Sequence, residues 1–174
     1  MKTLIKNGLL IDSANQVQAY LNLILEDGKV VAVTEEEPEA DRVIDATGKV
    51  VAPGFIDIHM HEDPVKDGKI EFCIFDAMLR MGVTTAVGGN CGINVYDPVK
   101  YLDMVEKDGA PVNVMLFAGH QYFREAAGAL DKYAPVTKEQ QEHMKKGLEK
   151  ALEAGCVGIS YGLRYVPGTG RDEF

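Results

Sequence analysis

The pattern that most constrains the fold is a strand–helix alternation that begins near residue 50. Four short apolar segments are bounded by glycine or polar residues, at positions 51–58, 83–88, 112–118 and 157–162. They are apolar on both faces, which is typical of parallel strands covered by helices. Repeated strand–helix units of this spacing predict an α/β fold built on a parallel sheet or a (β/α) barrel.

The segments between these strands have helical periodicity. Residues 70–81 and 97–107 repeat apolar side chains at the helical period, which predicts two helices. Residues 138–154 show the clearest pattern, with Thr137 as the N-cap and Gln140 at the capping-box position. The helices supply the outer layer that a parallel sheet needs.

Residues 1–50 have a different pattern and predict a small layer of antiparallel strands. Apolar alternation at 4–11 is interrupted by Asn7-Gly8, and a further run at 20–25 ends at Asp27-Gly28, a strong hairpin signal. Further strand pieces follow at 29–33, 42–45 and 49–51. This layer contains no candidate catalytic group.

The number of strand–helix units is small for a closed barrel. A complete (β/α)₈ barrel takes roughly 200–250 residues, and this chain has 174 in all, including its first β-layer. We therefore expect the N-terminal half of a barrel from a longer protein, with a small open α/β sheet as the alternative. Unpaired strand edges of a half-barrel would pair with another chain, so we expect self-association through open barrel edges.

Composition and charge exclude several classes of function. The net charge of -9 argues against nucleic acid as a partner, because phosphate binding needs a basic surface. We expect no signal peptide and no membrane helix, because no apolar run approaches the roughly 20 residues that a membrane span needs. The three cysteines are odd in number and scattered, which fits reduced thiols in the cytoplasm.

Two histidines stand where the first predicted parallel strand ends. Alternate side chains of a strand share a face, so His59 and His61 are expected to point the same way. Two neutral imidazoles so placed can bind one metal ion. An isolated His-x-His is more often a polar pair in a turn, but polar residues at the ends of the neighbouring strands favour a metal site.

Cys91 follows the second strand inside a glycine-bracketed loop. A free cysteine is usually a small buried apolar side chain, yet this one lies beyond the apolar run, and glycines let the backbone approach a ligand closely. A metal would bind it as thiolate. We therefore predict His59, His61 and Cys91 as metal ligands, with Cys73 and Cys156 as structural thiols.

The third and fourth strands end in residues that could contact a substrate. His120 follows the third strand, and it is a candidate for substrate contact, metal binding or a structural role. Arg164 and Tyr165 follow the fourth, where Arg164 could hold a carboxylate or form a salt bridge and Tyr165 could pack or line a pocket. We predict all three as substrate-binding residues.

The motif Pro53-Gly54-Phe55-Ile56-Asp57-Ile58-His59-Met60-His61 resembles the amidohydrolase superfamily. Gly89-Asn90-Cys91-Gly92 and Gly162-Leu163-Arg164-Tyr165-Val166-Pro167-Gly168 are similar to motifs of one branch, the N-acyl-D-amino-acid deacylases or D-aminoacylases. The resemblance implies a (β/α)₈ TIM barrel of the amidohydrolase type with a small β-sandwich. Residues 1–51 would be part of that sandwich, and residues 52–174 the first four βα units of the barrel.

The same resemblance implies a chemistry. His59, His61 and Cys91 would bind Zn²⁺, as one or two divalent ions, and the absence of lysine from Ser160-Tyr161-Gly162 agrees with a cysteine-type centre. The family takes two further histidines and a general-base aspartate from later strands, so we expect no catalytic residue in this chain and no activity from it by itself. The expected substrate is a small N-acyl amino acid. The alternatives are a dihydroorotase-like cyclic amidase and a non-catalytic scaffold.

Overall fold

A computed structural model describes residues 1–131 and 134–164 of the chain. The chain divides into two compact units, Met1–Pro53 and a second that begins at Gly54. The elements of both units together form a mixed α/β structure. The predicted α/β class is confirmed at this level.

The first unit contains two small sheets. Its seven strands are β1 (Lys2–Lys6), β2 (Leu9–Asp12), β3 (Val17–Tyr20), β4 (Asn22–Glu26), β5 (Lys29–Thr34), β6 (Arg42–Asp45) and β7 (Val50–Val51). One sheet has the order β5-β4-β1-β6 and the other β3-β2-β7. Asn7 (φ 64°) separates β1 from β2, and Asp27 (φ 47°) with Gly28 (φ 78°) joins β4 to β5, as the sequence predicted. Strand β3 was not predicted.

The second unit holds the parallel strands and the helices. Its strands are β8 (Phe55–Asp57), β9 (Val65–Lys66), β10 (Lys69–Ile70), β11 (Val83–Gly88), β12 (Asn113–Leu116), β13 (Ala118–Gly119) and β14 (Ile159–Ser160). Strands β8 and β12 both pair in parallel with β11, and β13 pairs in parallel with β14. A hairpin, β9–β10, was not predicted.

Within the described residues, four α-helices accompany these strands. They are α1 (Ile74–Arg80), α2 (Pro98–Asp108), α3 (His120–Ala126) and α4 (Lys138–Glu153). The predicted capping box of α4 is present, because the Thr137 hydroxyl accepts from the Gln140 amide at 3.2 Å and the Gln140 side chain accepts from the Thr137 amide at 2.9 Å. No helix in the described ranges is long and apolar enough to cross a membrane.

The first predicted parallel strand is wrong in its bounds and its burial. The segment 51–58 is divided between β7 and β8, since Pro53 has no amide hydrogen to donate to a sheet ladder. Phe55, Ile56 and Ile58 are 65–70% exposed, and because successive side chains of a strand point to opposite faces, neither face of β8 is fully covered in the described structure. The fourth strand is also shorter than predicted.

Two helix predictions need correction. Helix α1 begins at Ile74 rather than near residue 70, because Asp67 (φ 51°) and Gly68 (φ 74°) turn the chain into the β9–β10 hairpin first. Helix α3 was not predicted, and it begins at His120, directly after β13. The third predicted strand thus divides into β12 and β13 and leads immediately into a helix.

The core of the second unit lies between its sheet and its helices. Phe75 of α1, Tyr101 of α2 and Leu116 of β12 are almost completely buried, together with Ala118 and Ala151. Burying a large apolar side chain contributes roughly 1.5–3 kcal/mol. This packed layer fixes the strand ends, where the polar residues described next are placed.

Candidate metal centre

The two histidines of the first motif follow β8 and flank a buried residue. Met60, between them, is 6% exposed and packs into the core, whereas His59 and His61 are both exposed. Their ring centroids are 6.4 Å apart and the rings are nearly perpendicular, at 83°. The Asp57 carboxylate accepts from the His59 amide at 3.0 Å, which fixes the backbone where the first imidazole leaves the strand.

Cys91 lies in a loop whose backbone is in an unusual conformation. Gly89 (φ 72°), Cys91 (φ 59°) and Gly92 (φ 77°) all have left-handed dihedral angles. For glycine this costs little, but for a residue with a side chain it costs roughly 1–2 kcal/mol. Such strain persists only where the surroundings impose it, and it concentrates at functional sites.

Two side chains hold this loop, Asn90 from within it and Ser160 from β14. The Asn90 amide donates to the backbone oxygens of Val87 at 2.7 Å and Met60 at 3.3 Å. The Ser160 hydroxyl accepts from the Gly92 amide at 2.9 Å and donates to the Gly89 carbonyl. The loop is therefore connected to the β8 end on one side and to β14 on the other.

The loop brings Cys91 to the two histidines. One ring nitrogen from each of His59 and His61 and the Cys91 sulfur lie within 4.8 Å of one another, and Cys91 Sγ is 3.3 Å from His59 Nε2. A tetrahedral zinc with bonds of about 2.0–2.3 Å holds its ligand atoms roughly 3.3–3.8 Å apart. Two imidazoles and a thiol are a donor set that zinc accepts. The donor types and their approach to within 4.8 Å therefore suit a zinc ion, which would draw the three side chains closer together.

Glu62, directly after His61, is buried and hydrogen-bonded. It is 3% exposed, and burial raises the pKa of its carboxyl group, an effect that the Asn94 hydrogen bond at 2.7 Å partly offsets. Asn94 also donates to the Phe117 carbonyl at 3.0 Å and accepts from the Gly119 amide at 2.7 Å. One asparagine therefore joins the ends of three strands.

Asp63 is fully buried and performs a different task. Its carboxylate accepts from the backbone amides of Cys73, Ile74 and Phe75 at 2.7–3.1 Å and from the Cys73 thiol at 2.9 Å. These amides begin α1, so the carboxylate satisfies the free donors at the helix N-terminus. The Asp63 carboxylate therefore accepts from the start of α1 and is not part of the donor cluster.

The predicted substrate-binding residues have separate positions. His120 begins α3, and its ring centroid is 5.1 Å from that of Tyr161. Arg164 is exposed beyond β14, and Tyr165 falls outside the described residues. Among the described residues, the donor cluster contains none of these, so their role in substrate binding stays a prediction.

The sequence did not identify Asn90, Asn94 and Ser160 as residues of the site. Asparagine within a glycine-rich strand-end loop is a usable signal for Asn90, since its side chain can hydrogen-bond nearby backbone groups. Cys73 falls inside the predicted helix 70–81, and that is wrong: it is exposed and precedes α1. Cys156 is buried, as expected for a structural thiol.

Comparison with known proteins identifies the family. Residues 42–165 match the model of an amidohydrolase family. The chain therefore belongs to the amidohydrolases, as the motif around His59 and His61 predicted.

Several individual relatives are named deacylases or aminoacylases. N-acyl-D-glutamate deacylase and D-aminoacylase of Alcaligenes xylosoxydans are 32% and 30% identical to this chain, each over 94% of it and 38% of their own length. The crystal structure of N-acyl-D-glutamate deacylase from Bordetella bronchiseptica, complexed with zinc and a phosphonate inhibitor, superposes with a TM-score of 0.80 at 32% identity. The superposition covers 95% of this chain and 39% of the solved chain. This chain therefore spans about two-fifths of the length of these relatives.

Proposed function

We propose that this chain supplies part of the metal centre of a zinc-dependent amidohydrolase that cleaves the amide bond of N-acyl-D-amino acids. The observation that carries the proposal is the convergence of His59, His61 and Cys91 within 4.8 Å. Relatives with the same family membership deacylate N-acyl-D-glutamate or are named D-aminoacylases, and one was crystallised with zinc.

The proposal assigns each part of the chain a place in the enzyme. The parallel strands β8, β11 and β12 and the parallel pair β13–β14, with their helices, support the first four βα units of a (β/α)₈ barrel over residues 52–174. The two small sheets of the first unit support a β-sandwich portion over residues 1–51. Strand ends of a barrel carry the reacting groups, which agrees with the position of the cluster.

In the proposed mechanism, His59, His61 and Cys91 would hold Zn²⁺. The chemistry that zinc supplies when bound is Lewis acidity toward the scissile carbonyl and a water of lowered pKa. The left-handed backbone of Cys91, held by Asn90 and Ser160, presents the sulfur to the imidazoles in advance, so little rearrangement is needed.

Substrate binding and proton transfer need further groups. His120 and Arg164 are proposed to bind the small-molecule substrate near the site, with Arg164 as a partner for its free carboxylate, and Tyr165 remains a sequence-based candidate. The three clustered donors include no general base. We assign that role to an aspartate outside this chain, as the family resemblance implies, and therefore expect no turnover from the 174 residues by themselves.

Zinc content tests the assignment of the ligands. We expect the purified chain to retain stoichiometric zinc after dialysis and His61→Ala to lose it. His143→Ala is the matched control, because His143 is also an exposed histidine but lies on α4 away from the cluster. Metal analysis by mass spectrometry measures both variants. Zinc retained by His61→Ala, or lost equally by His143→Ala, would contradict the assignment.

Substrate choice separates the proposed reaction from cyclic-amide hydrolysis. The protein is assayed in its zinc-loaded form, as its organism makes it. The substrates are N-acetyl-D-amino acids, their L-enantiomers and dihydroorotate. We expect hydrolysis of the D-compounds. Turnover of dihydroorotate without turnover of the open-chain amides would overturn the deacylase assignment.

The exposed apolar strand supports the proposed self-association. Phe55, Ile56 and Ile58 expose large apolar side chains along or beside the open edge of β8. Such edges pair with other chains. We expect the chain to elute as an oligomer in size-exclusion chromatography with light scattering, and Ile58→Lys to shift it toward monomer. A monomeric wild-type chain would count against this part of the proposal.

A further inference from the structure

Glu62 and Asn94 form a hydrogen-bonded pair that has no part in the proposed mechanism. Glu62 directly follows His61, and Asn94 lies three residues after Cys91. The Asn94 Nδ2 atom donates to Glu62 Oε1 at 2.7 Å, across 32 residues of sequence. The pair therefore joins the histidine segment (residues 59–62) directly to the chain that carries the cysteine.

Three partners fix the orientation of the Asn94 amide. Besides the bond to Glu62, its Nδ2 atom donates to the Phe117 carbonyl at 3.0 Å, and its Oδ1 atom accepts from the Gly119 amide at 2.7 Å. An amide side chain donates only through its nitrogen and accepts only through its oxygen, so one orientation satisfies all three hydrogen bonds. Because Phe117 and Gly119 lie beside and within β13, Asn94 is anchored to the sheet.

Glycines pack against the pair and leave it no room to move. A Cβ atom built on Gly88 would lie 2.9 Å from Glu62 Cγ. One built on Gly89 would lie 2.7 Å from Asn94 Nδ2, and one built on Gly119 would lie 2.9 Å from Asn94 Oδ1. Since the backbone is this close, a shift of the pair would displace Gly88 and Gly89, where the Cys91 loop begins.

The pair uses one of the two carboxylate oxygens of Glu62. Glu62 is 3% exposed, and its Oε2 atom is buried without a hydrogen-bond partner among the described residues. What Asn94 needs from Glu62 is therefore the acceptor at Oε1. Glutamine retains such an acceptor at the same place, whereas methionine has a similar size and lacks it.

We propose that Glu62 and Asn94 act together as positioning residues of the metal centre. Their hydrogen bond holds the histidine segment and the Cys91 loop at the separation that one metal ion needs. Neither residue is among the clustered donors, so both act through His61 and Cys91. The inference rests on the proposed function, because it takes the three clustered side chains as ligands.

The test measures metal binding by the chain without any need for turnover. Cobalt(II) substitutes for zinc at sites of this kind and absorbs visible light, and a thiolate ligand adds an absorption band of its own. We expect Glu62→Met and Asn94→Leu each to lower cobalt affinity about 10–100-fold, as loss of a partner that orients ligands does. The double variant should bind as weakly as Asn94→Leu, because both substitutions remove the same hydrogen bond.

The absorption spectrum separates positioning from ligation. At saturating cobalt, Glu62→Met and Asn94→Leu should show the thiolate band, since Cys91 still binds the metal. Cys91→Ala should lack the band at every cobalt concentration. Absence of the thiolate band from saturated Glu62→Met or Asn94→Leu would overturn the positioning role.

Conservative and control variants complete the set. Glu62→Gln keeps the acceptor and should recover most of the cobalt affinity. Asn22→Ala is the matched control, because Asn22 is also a buried asparagine, and its Nδ2 atom donates to the carbonyls of Glu35 and Glu36 in the first unit. We expect Asn22→Ala to lower the free energy of unfolding in urea and to leave cobalt affinity unchanged.

The double variant keeps the test valid where a single variant fails to fold. It replaces both partners by apolar groups of similar size, which costs less stability than leaving one partner unpaired. Wild-type cobalt affinity in the folded double variant would overturn the inference and leave the ligand assignment intact. An equal loss in Asn22→Ala, or a Glu62→Gln variant as weak as Glu62→Met, would also overturn it. A wild-type chain that binds no cobalt would overturn the proposed function as well.

Discussion

Cys73 and Cys91 lie in the same unit, but their surroundings differ. The Cys73 thiol donates to the Asp63 carboxylate at 2.9 Å, and this hydrogen bond raises the pKa of the thiol. The Cys91 sulfur instead lies 3.3 Å from an imidazole nitrogen of His59. Because a metal binds the thiolate, a carboxylate neighbour disfavours metal binding, whereas two imidazole neighbours complete a donor set.

The role of Asp63 also depends on its surroundings. Asp63 is surrounded by the amide donors of α1 and serves the fold. Residue type and proximity in sequence to His61 do not distinguish Asp63 from a ligand. The hydrogen-bond partners that the tertiary structure supplies do distinguish it from a ligand. The following predictions test the difference between the surroundings of Cys73 and those of Cys91.

The largest expected effect is on zinc binding by the two cysteine variants. Cys91→Ala removes one of three donors. Loss of a ligand's hydrogen-bond partner alone lowers metal affinity about 10–100-fold, and we expect Cys91→Ala to lower zinc affinity by more than that. Cys73→Ala should leave zinc affinity unchanged. Competition titration with a chelating dye measures both. Equal losses in the two variants would remove the distinction drawn here.

Asp63→Asn should affect stability and spare the metal. The substitution replaces a fully buried carboxyl group that accepts from three backbone amides, and we expect the free energy of unfolding to fall by about 2–4 kcal/mol. Urea denaturation measures this, with Asp67→Asn, at an exposed turn position, as the matched control. Loss of zinc from folded Asp63→Asn protein would place Asp63 among the ligands after all.

The third thiol, Cys156, provides a pH-dependent comparison. Burial raises its pKa to about 11, above the ordinary value of 9.0. The unfolded chain therefore releases this proton at lower pH than the folded chain, so stability should fall as pH rises from about 9 toward 11, by about 2 kcal/mol in all.

Urea denaturation of wild type and Cys156→Ala across this pH range isolates the contribution of the thiol. Tyr122, whose pKa is raised to about 12, adds a similar effect to both proteins and cancels in the difference. We expect the variant to show the shallower decline. Parallel curves for the two proteins would mean that the Cys156 thiol titrates at its ordinary pKa in the folded state.

The smallest expected effect is that of Ser160, which touches no donor atom and acts through the Cys91 loop. Ser160→Ala removes the hydrogen bonds to Gly89 and Gly92, and we expect about a tenfold loss of zinc affinity. Ser160→Thr retains the hydroxyl and should recover most of the affinity. Ser13→Ala, at an exposed loop position of the first unit, is the control. Failure of threonine to restore binding would assign the effect to packing.

Local patterns predicted the local parts of this structure. The Asp27-Gly28 turn, the capping box at Thr137 and Gln140 and, within one residue, the end of α2 at Asp108 were predicted because each depends on neighbouring residues. Bounds failed where tertiary contacts override propensity. Helix α1 begins late because residues 65–70 form the β9–β10 hairpin first, and Asp63, ten residues before Cys73, then supplies the acceptors for the first turn of the helix.

The parts of the site that escaped prediction depend on distant partners. Asn94 joins Glu62, Phe117 and Gly119, and Ser160 reaches back to the Gly89–Gly92 loop across about seventy residues of sequence. A polar residue in a loop has no local signal for such a role, since hydrogen-bond partners far along the chain are chosen by packing.

The sequence by itself determined that His59 and His61 leave the same strand and that Cys91 stands in a glycine loop, because strand alternation and glycine conformation are local properties. The tertiary structure decided that Cys91 meets His59 across 32 residues of sequence and that Cys73 meets Asp63 instead. Parallel pairing of β8 with β11 places their carboxyl ends at one edge, and hydrogen bonds from Asn90 and Ser160 then turn the loop toward the imidazoles. The sequence therefore identifies the three donor residues, whereas the tertiary structure brings them together into one cluster.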